Sequence, residues 1–262
     1  MTPIPSTVPG LRKGDELAGR VALVTGGARN IGRAIARSLA TGGAAVMVNA
    51  NTSRAEAEET VRMIIEAGGR AAHVIGDVTD PAAVKQMIEA TLAAFGRLDL
   101  LVCNAAVRAE TPFDKITLAE WHKVLGVVLD GAFLSAQAAL PHLRTSGAGA
   151  IVNIGGLTGH KGALERSHVV TAKAGLAGFT KALAVDLAGD GITVNCVVPG
   201  TVDTVRGLPG APARPGHRVT LPPLGRRGLP EEIAAMVRML CGPDARYITG
   251  QSIHLNGGGL MP

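Results

Sequence analysis

An alternation of two residue patterns constrains this chain more than any other feature. From Arg20 onward, seven short apolar runs rich in β-branched residues are separated by stretches with helical patterning. The runs are VALVT at 21–25, AVMVN at 45–49, AHVIGD at 72–77, LDLLVC at 98–103, AIVNI at 150–154, ITVNCV at 192–197 and SIHL at 252–255. A strand that is apolar on both faces must be covered on both faces, and strands joined through helices run parallel. Right-handed crossovers then place helices on each side of one sheet. The pattern predicts an α/β fold: a single doubly wound domain with a seven-stranded parallel sheet and about six helices.

The chain has 262 residues, enough to bury a large core, and no second domain is apparent. Residues 1–18 carry three prolines and no periodicity, which reads as an N-terminal arm ahead of a domain spanning 19–262. A Pro- and Gly-rich segment at about 205–225 breaks the alternation just after a strand end. Open α/β sheets bind ligands there, so the segment is expected to be a substrate lid.

Composition closes off several function classes. The formal charge is +5, but the basic residues are scattered, and one Trp, one Tyr and four Phe make few platforms for stacking bases. Nucleic acid is therefore not expected as a partner; a small anionic ligand uses the charge better. Cys103, Cys196 and Cys241 show no ligand spacing and read as small buried hydrophobes, with no metal indicated. No signal core and no run of about eighteen apolar residues is present, so the expectation is a cytoplasmic protein with no membrane partner.

The first run leads into Thr25-Gly26-Gly27-Ala28-Arg29-Asn30-Ile31-Gly32 and then directly into a helical pattern. Glycines between a strand and a helix allow a tight turn and close approach to a pyrophosphate, which the helix N-terminus binds. Gly26, Ala28, Arg29, Asn30, Ile31 and Gly32 are thus expected to bind a dinucleotide. Asn30 stands where the glycine pattern has its second member, and Asn tolerates positive φ better than other side chains. The second run ends Val48-Asn49-Ala50-Asn51 without the carboxylate that binds a free adenosine ribose. Arg29 and Asn51 are instead suited to a 2′-phosphate, favouring NADP(H) over NAD(H). Arg54 is a weaker candidate for the same phosphate, with an exposed helix start as its alternative.

With further motifs the chain resembles the short-chain dehydrogenase/reductase family, and most closely its reductases of the 3-oxoacyl-acyl-carrier-protein type. The resemblance runs from about Leu17 to Gly259 and rests on TGGARNIG, Gly76-Asp77-Val78, Cys103-Asn104-Ala105-Ala106, Ala172-Lys173-Ala174-Gly175, Pro199 to Thr204, PLGRRGLPEEIA and YITGQSIHLNGG. It implies a Rossmann fold in which Asp77 and Val78 meet adenine and Asn104 and Ala105 pack beside the cofactor. It also implies that Lys173 binds the nicotinamide ribose and that Pro199, Gly200, Val202 and Thr204 hold the carboxamide. It implies a homo-oligomer, tetramer or dimer.

The same resemblance assigns a catalytic Tyr, Ser and Asn to positions that here hold Val169, Gly156 and Val128; Lys173 alone of the four is kept. General acid/base work is worth about 10²- to 10⁴-fold, so reduction of a plain ketone has to find another proton donor. Four residues are candidates for catalysis. His168 adjoins the Tyr position and an imidazole is the usual proton carrier, although one helical residue is about 100° of rotation. Thr158 and His160 follow Gly156 and are within reach of a substrate oxygen, or simply cap turns. Lys173 is the fourth. Arg166, one turn before Val169, is either a surface arginine or a binder of an anionic substrate.

The leading expectation is an NADP(H)-dependent oxidoreductase with an atypical catalytic site that reduces a small carbonyl, imine or activated alkene. The alternative is a catalytically impaired NADP(H)-binding pseudoenzyme with a sensing or assembly role. A lyase or isomerase on the same scaffold is a third reading, disfavoured by the intact phosphate and adenine motifs.

Overall fold

A computed structural model describes residues 13–204 and 221–262. The described chain carries β1 (Val21–Val24), α1 (Asn30–Thr41), β2 (Ala45–Ala50), α2 (Arg54–Glu66), β3 (Arg70–Ile75), α3 (Pro81–Phe95), β4 (Leu100–Cys103) and α4 (Leu118–Leu125). It continues with α5 (Gly131–Thr145), β5 (Ala150–Ile154), α6 (Thr158–Lys161), α7 (Ser167–Asp186), β6 (Thr193–Pro199), α8 (Pro230–Cys241) and β7 (Ser252–Leu255). A five-residue π-helical stretch, Gly126–Asp130, joins α4 to α5.

All seven strands pair in parallel in the order β3-β2-β1-β4-β5-β6-β7. The reversal of direction between β1 and β4 is the switch point at which such sheets open for a ligand. Side chains alternate across the sheet. Ala22 and Val24 of β1 face a core built with α1, α2 and α8, while Leu23 faces a second core built with α4, α5 and α7. Both layers are closed, which is why the strand runs are apolar on both faces. Helix ends follow local chemistry: at α3, Asp80 accepts from the Ala82 N–H at 2.9 Å, Pro81 opens the first turn and Gly96 closes the last at φ +81°.

Part of the segment read as an arm belongs to the domain. Leu17 is 1% exposed within the first core, the Gly14 and Leu17 N–H groups donate to Thr41 O and Gly42 O, and Glu16 pairs with Arg238 of α8. An apolar leucine there removes more surface from water than proline-rich composition suggested. Residues 1–12, and residues 205–220 of the expected lid, lie outside the described residues.

From Leu118 to Thr145 the chain is helical for 28 residues and apolar enough, by length and composition, to cross a membrane. Its inward side is part of the second core: Val124, Val128, Ala132, Ala136, Ala139 and Leu143 are all buried there.

Candidate functional site

The carboxyl ends of β1, β4, β5 and β6 bring the sequence-marked segments to one edge of the sheet. After β1, Gly26 takes φ +61° and Asn30 takes φ +51°, the left-handed conformation that its amide side chain tolerates. A Cβ on Gly32 would lie 2.1 Å from Gly26 O, so only glycine lets the first turn of α1 sit this close to the phosphate loop. No side chain caps α1, and its first turn holds no acidic residue. That cradle fits the anionic pyrophosphate of a dinucleotide, and Ala28, Arg29 and Ile31 lie in the same strand-to-helix turn.

Three residues to which the sequence reading gave no role, Thr25, Asn49 and Arg33, hold the loop together with Asn104. Thr25 Oγ1 accepts the N–H groups of Asn104 and Ala105 at 3.0 and 3.1 Å and donates to Val102 O. Asn104 returns two bonds, its Nδ2 donating to Thr25 O and Gly26 O at 3.0 and 2.9 Å. Asn49, buried at the end of β2, accepts the Gly26 N–H on its side-chain oxygen and donates to Gly76 O. Arg33 donates Nε to Ala28 O and to Thr60 Oγ1. The readable signal was a polar side chain in an otherwise apolar run.

The adenosine edge has an exposed Arg29, 3.7 Å from Glu56, beside the start of α2. Asn51 donates to Asp77 Oδ2 at 3.2 Å. Asp77 also accepts from the backbone N–H and the hydroxyl of Thr79, and these bonds hold its carboxyl below the usual carboxylate range against modest burial. Val78 is buried against Gly131 of α5. Arg54 lies 3.2 Å from His73 on the exposed start of α2.

On the other side of the switch point, Lys173 of α7 donates from Nζ to Ile154 O at 2.5 Å. Burial pulls its ammonium down from the ordinary lysine value to about 8. Val169 stands one turn before it on α7 and packs against the second core. A Cβ on Gly156 would lie 3.7 Å from Lys173 Cγ and 4.0 Å from Thr158 Oγ1, so the Thr158 hydroxyl borders the space that a longer residue at 156 would occupy. Pro199 accepts the Leu157 N–H, Gly200 donates to Leu255 O and packs on Asn256, and Val202 is buried beside Gly228. Thr204 ends the first stretch of described residues.

The two candidate histidines are not brought to Lys173. His168 is 0% exposed and faces α4, where its Nε2 is 3.4 Å from Glu120 Oε1. Glu120 also accepts from the Thr111 hydroxyl at 2.7 Å. The helical rotation that weighed against His168 therefore points it into the protein, not to solvent. His160 meets His254 of β7 edge-on at 4.6 Å, over a separate cavity lined by Ala174, Ala177 and Lys181. Arg166, the N-cap residue of α7, is largely buried and paired with Glu110; burial and the nearby Arg108 lower its pKa.

The sequence profile described as Enoyl-(Acyl carrier protein) reductase matches residues 26–259. A 3-oxoacyl-[acyl-carrier-protein] reductase of Synechocystis sp. is 39% identical over 248 residues, covering 94% of this chain and 98% of the relative. A cis-4-hydroxycyclohexanecarboxylate dehydrogenase of Sinomonas cyclohexanicum is 39% identical with the same coverage. Among solved structures, a short chain dehydrogenase from Burkholderia cenocepacia in complex with NADP superposes with a TM-score of 0.86 at 36% identity, over 93% of this chain and 99% of its own. The chain belongs to the short-chain dehydrogenase/reductase family: it is an oxidoreductase for a small-molecule substrate, with NADP(H) favoured over NAD(H).

Proposed function

We propose that this protein reduces a small carbonyl, imine or activated alkene with NADPH, in the cytoplasm and as a homo-oligomer, through a catalytic site from which the family's Tyr, Ser and Asn are gone. The observation that carries this reading is the convergence at one sheet edge of an anion cradle shaped by Gly26, Asn30 and Gly32 with a lysine held on Ile154 O. When bound, the reduced nicotinamide supplies a hydride. The chain's own residues hold and orient. The first turn of α1 binds the pyrophosphate, Asn51 and Arg29 border the ribose phosphate, Asp77 and Val78 flank adenine, and Gly200 to Thr204 border the carboxamide. Thr158 is proposed to hydrogen-bond the substrate oxygen, without giving up its proton, from the space beside Gly156.

An anionic substrate fits two facts: a relative named for a carboxylated cyclohexanol, and the largely buried Arg166 with Arg108 near it. The second reading, a pseudoenzyme, is favoured by one observation. The chain's single tyrosine, Tyr247, is fully exposed at a distance in sequence from the site.

Fluorescence titration with NADPH, followed by consumption assays with ketones, imines and enones, separates the two. Reduction by the wild type supports the enzyme. Tight binding without consumption, together with reductase activity appearing in Val169→Tyr/Gly156→Ser, supports the pseudoenzyme. The serine meets only ordinary van der Waals contact at 156, so the double variant is expected to fold. No binding at millimolar NADPH sinks both.

A further inference from the structure

We infer that Lys173 is the proton donor of this site: its ammonium delivers a proton directly to the substrate oxygen, the task a tyrosine hydroxyl performs elsewhere in the family. This rests on the reductase reading above.

The geometry leaves Lys173 as the donor. An ammonium has three N–H groups, and one of them is engaged by Ile154 O at 2.5 Å, fixing the side chain on the sheet edge with two donors to spare. Its flank is uncovered where Gly156 lacks a side chain, since a Cβ there would stand 3.7 and 3.9 Å from Lys173 Cγ and Cδ. Val169, on the same face of α7, ends in methyl groups far short of the reach of a phenol. Other proton carriers are turned elsewhere: His168 toward Glu120, His160 onto His254, and Tyr247 into solvent.

Burial then tunes the group. An ammonium with a pKa of about 8 is a far better acid near neutrality than an ordinary lysine. From β6, Cys196 is the titratable neighbour of Lys173; burial raises its thiol pKa, so it carries no charge near neutrality. From α6, Gly159 packs on the lysine backbone and Cβ, and brings no charge.

The step balances. A new C–H bond forms as the carbonyl carbon accepts hydride from the reduced nicotinamide, the C=O π pair moves to oxygen, and that oxygen takes a proton from Lys173. The neutral amine that remains is reprotonated from solvent, and the nicotinamide is oxidised by two electrons.

Two probes separate proton delivery from positioning at saturating NADPH: ethyl acetoacetate, a ketone that needs a proton, and 1-methyl-1-pyrrolinium, an iminium that does not. For the wild type, kcat with the ketone is expected to be level below pH 8 and to fall about tenfold per unit above it, while the iminium rate does not follow. Lys173→Met should lower the ketone-to-iminium ratio at least about 100-fold, and Lys173→Arg, which keeps the charge but cannot release a proton, should do the same. Acetic anhydride labelling of Lys173, followed by mass spectrometry across pH without substrate, should show a midpoint near 8. A ratio unchanged in both variants, a ketone rate flat through pH 8, or a labelling midpoint above about 10 overturns the inference while leaving the reductase intact. If NADPH binds and neither probe is consumed, the reductase reading falls and the inference with it.

Discussion

At residue scale, the turn after β1 depends on a side chain that accepts a left-handed backbone. Asn30 was read as the side chain able to replace a glycine at positive φ, and it stands at φ +51°. Asn30→Gly should therefore keep stability within about 1 kcal/mol, whereas the β-branched Asn30→Val should cost about 1–3 kcal/mol in urea denaturation. Equal losses would show that side-chain bonding, not backbone conformation, selects asparagine here. His168 shows the opposite case. Its position beside Val169 made it a chemical candidate, but helical geometry turns it toward Glu120, and no local pattern reveals what α4 presents there. The burial that depresses Lys173 likewise comes from residues distant in sequence.

At the scale of elements, strand runs separated by helices were enough to place the seven strands, because both faces of the five inner ones, β1, β2, β4, β5 and β6, are buried. The π-helical stretch at Gly126–Asp130 was not foreseen: its residues keep an ordinary helical pattern, and the extra residue per turn is settled by packing. The close fit of α1 to its preceding loop has a direct test. In Gly32→Ala the new methyl would stand 2.1 Å from Gly26 O and 2.7 Å from Asn104 Nδ2, both pinned by the Thr25 network, so the helix has to move off the loop. NADPH affinity should fall at least about tenfold, or roughly 1.4 kcal/mol, in fluorescence titration. Retained affinity would mean that the loop relaxes at no cost and that the close approach is incidental.

Across the whole molecule, the segment ahead of β1 is tied to the far end of the chain. Leu17 fills the first core while Glu16 pairs with Arg238 of α8, so the start and finish of the fold close over the same layer. Leu17→Ala should cost about 2–5 kcal/mol, seen as a clear drop in Tm with NADPH binding kept at low temperature. A loss under about 1 kcal/mol would return residues 13–18 to the role of an arm.

By itself the sequence determined the parallel α/β architecture, the dinucleotide cradle and the absence of a tyrosine beside Lys173. These follow from local periodicity, from backbone conformations that few residues adopt, and from the identity of residues at short spacings. Only the tertiary structure decided which polar groups face one another: Thr25 under Asn104 and Ala105, His168 against Glu120, and Lys173 on Ile154 O beside the gap at Gly156. Those pairings join segments tens of residues apart, and burial and direction, which set what a side chain can do, exist only once the layers have packed.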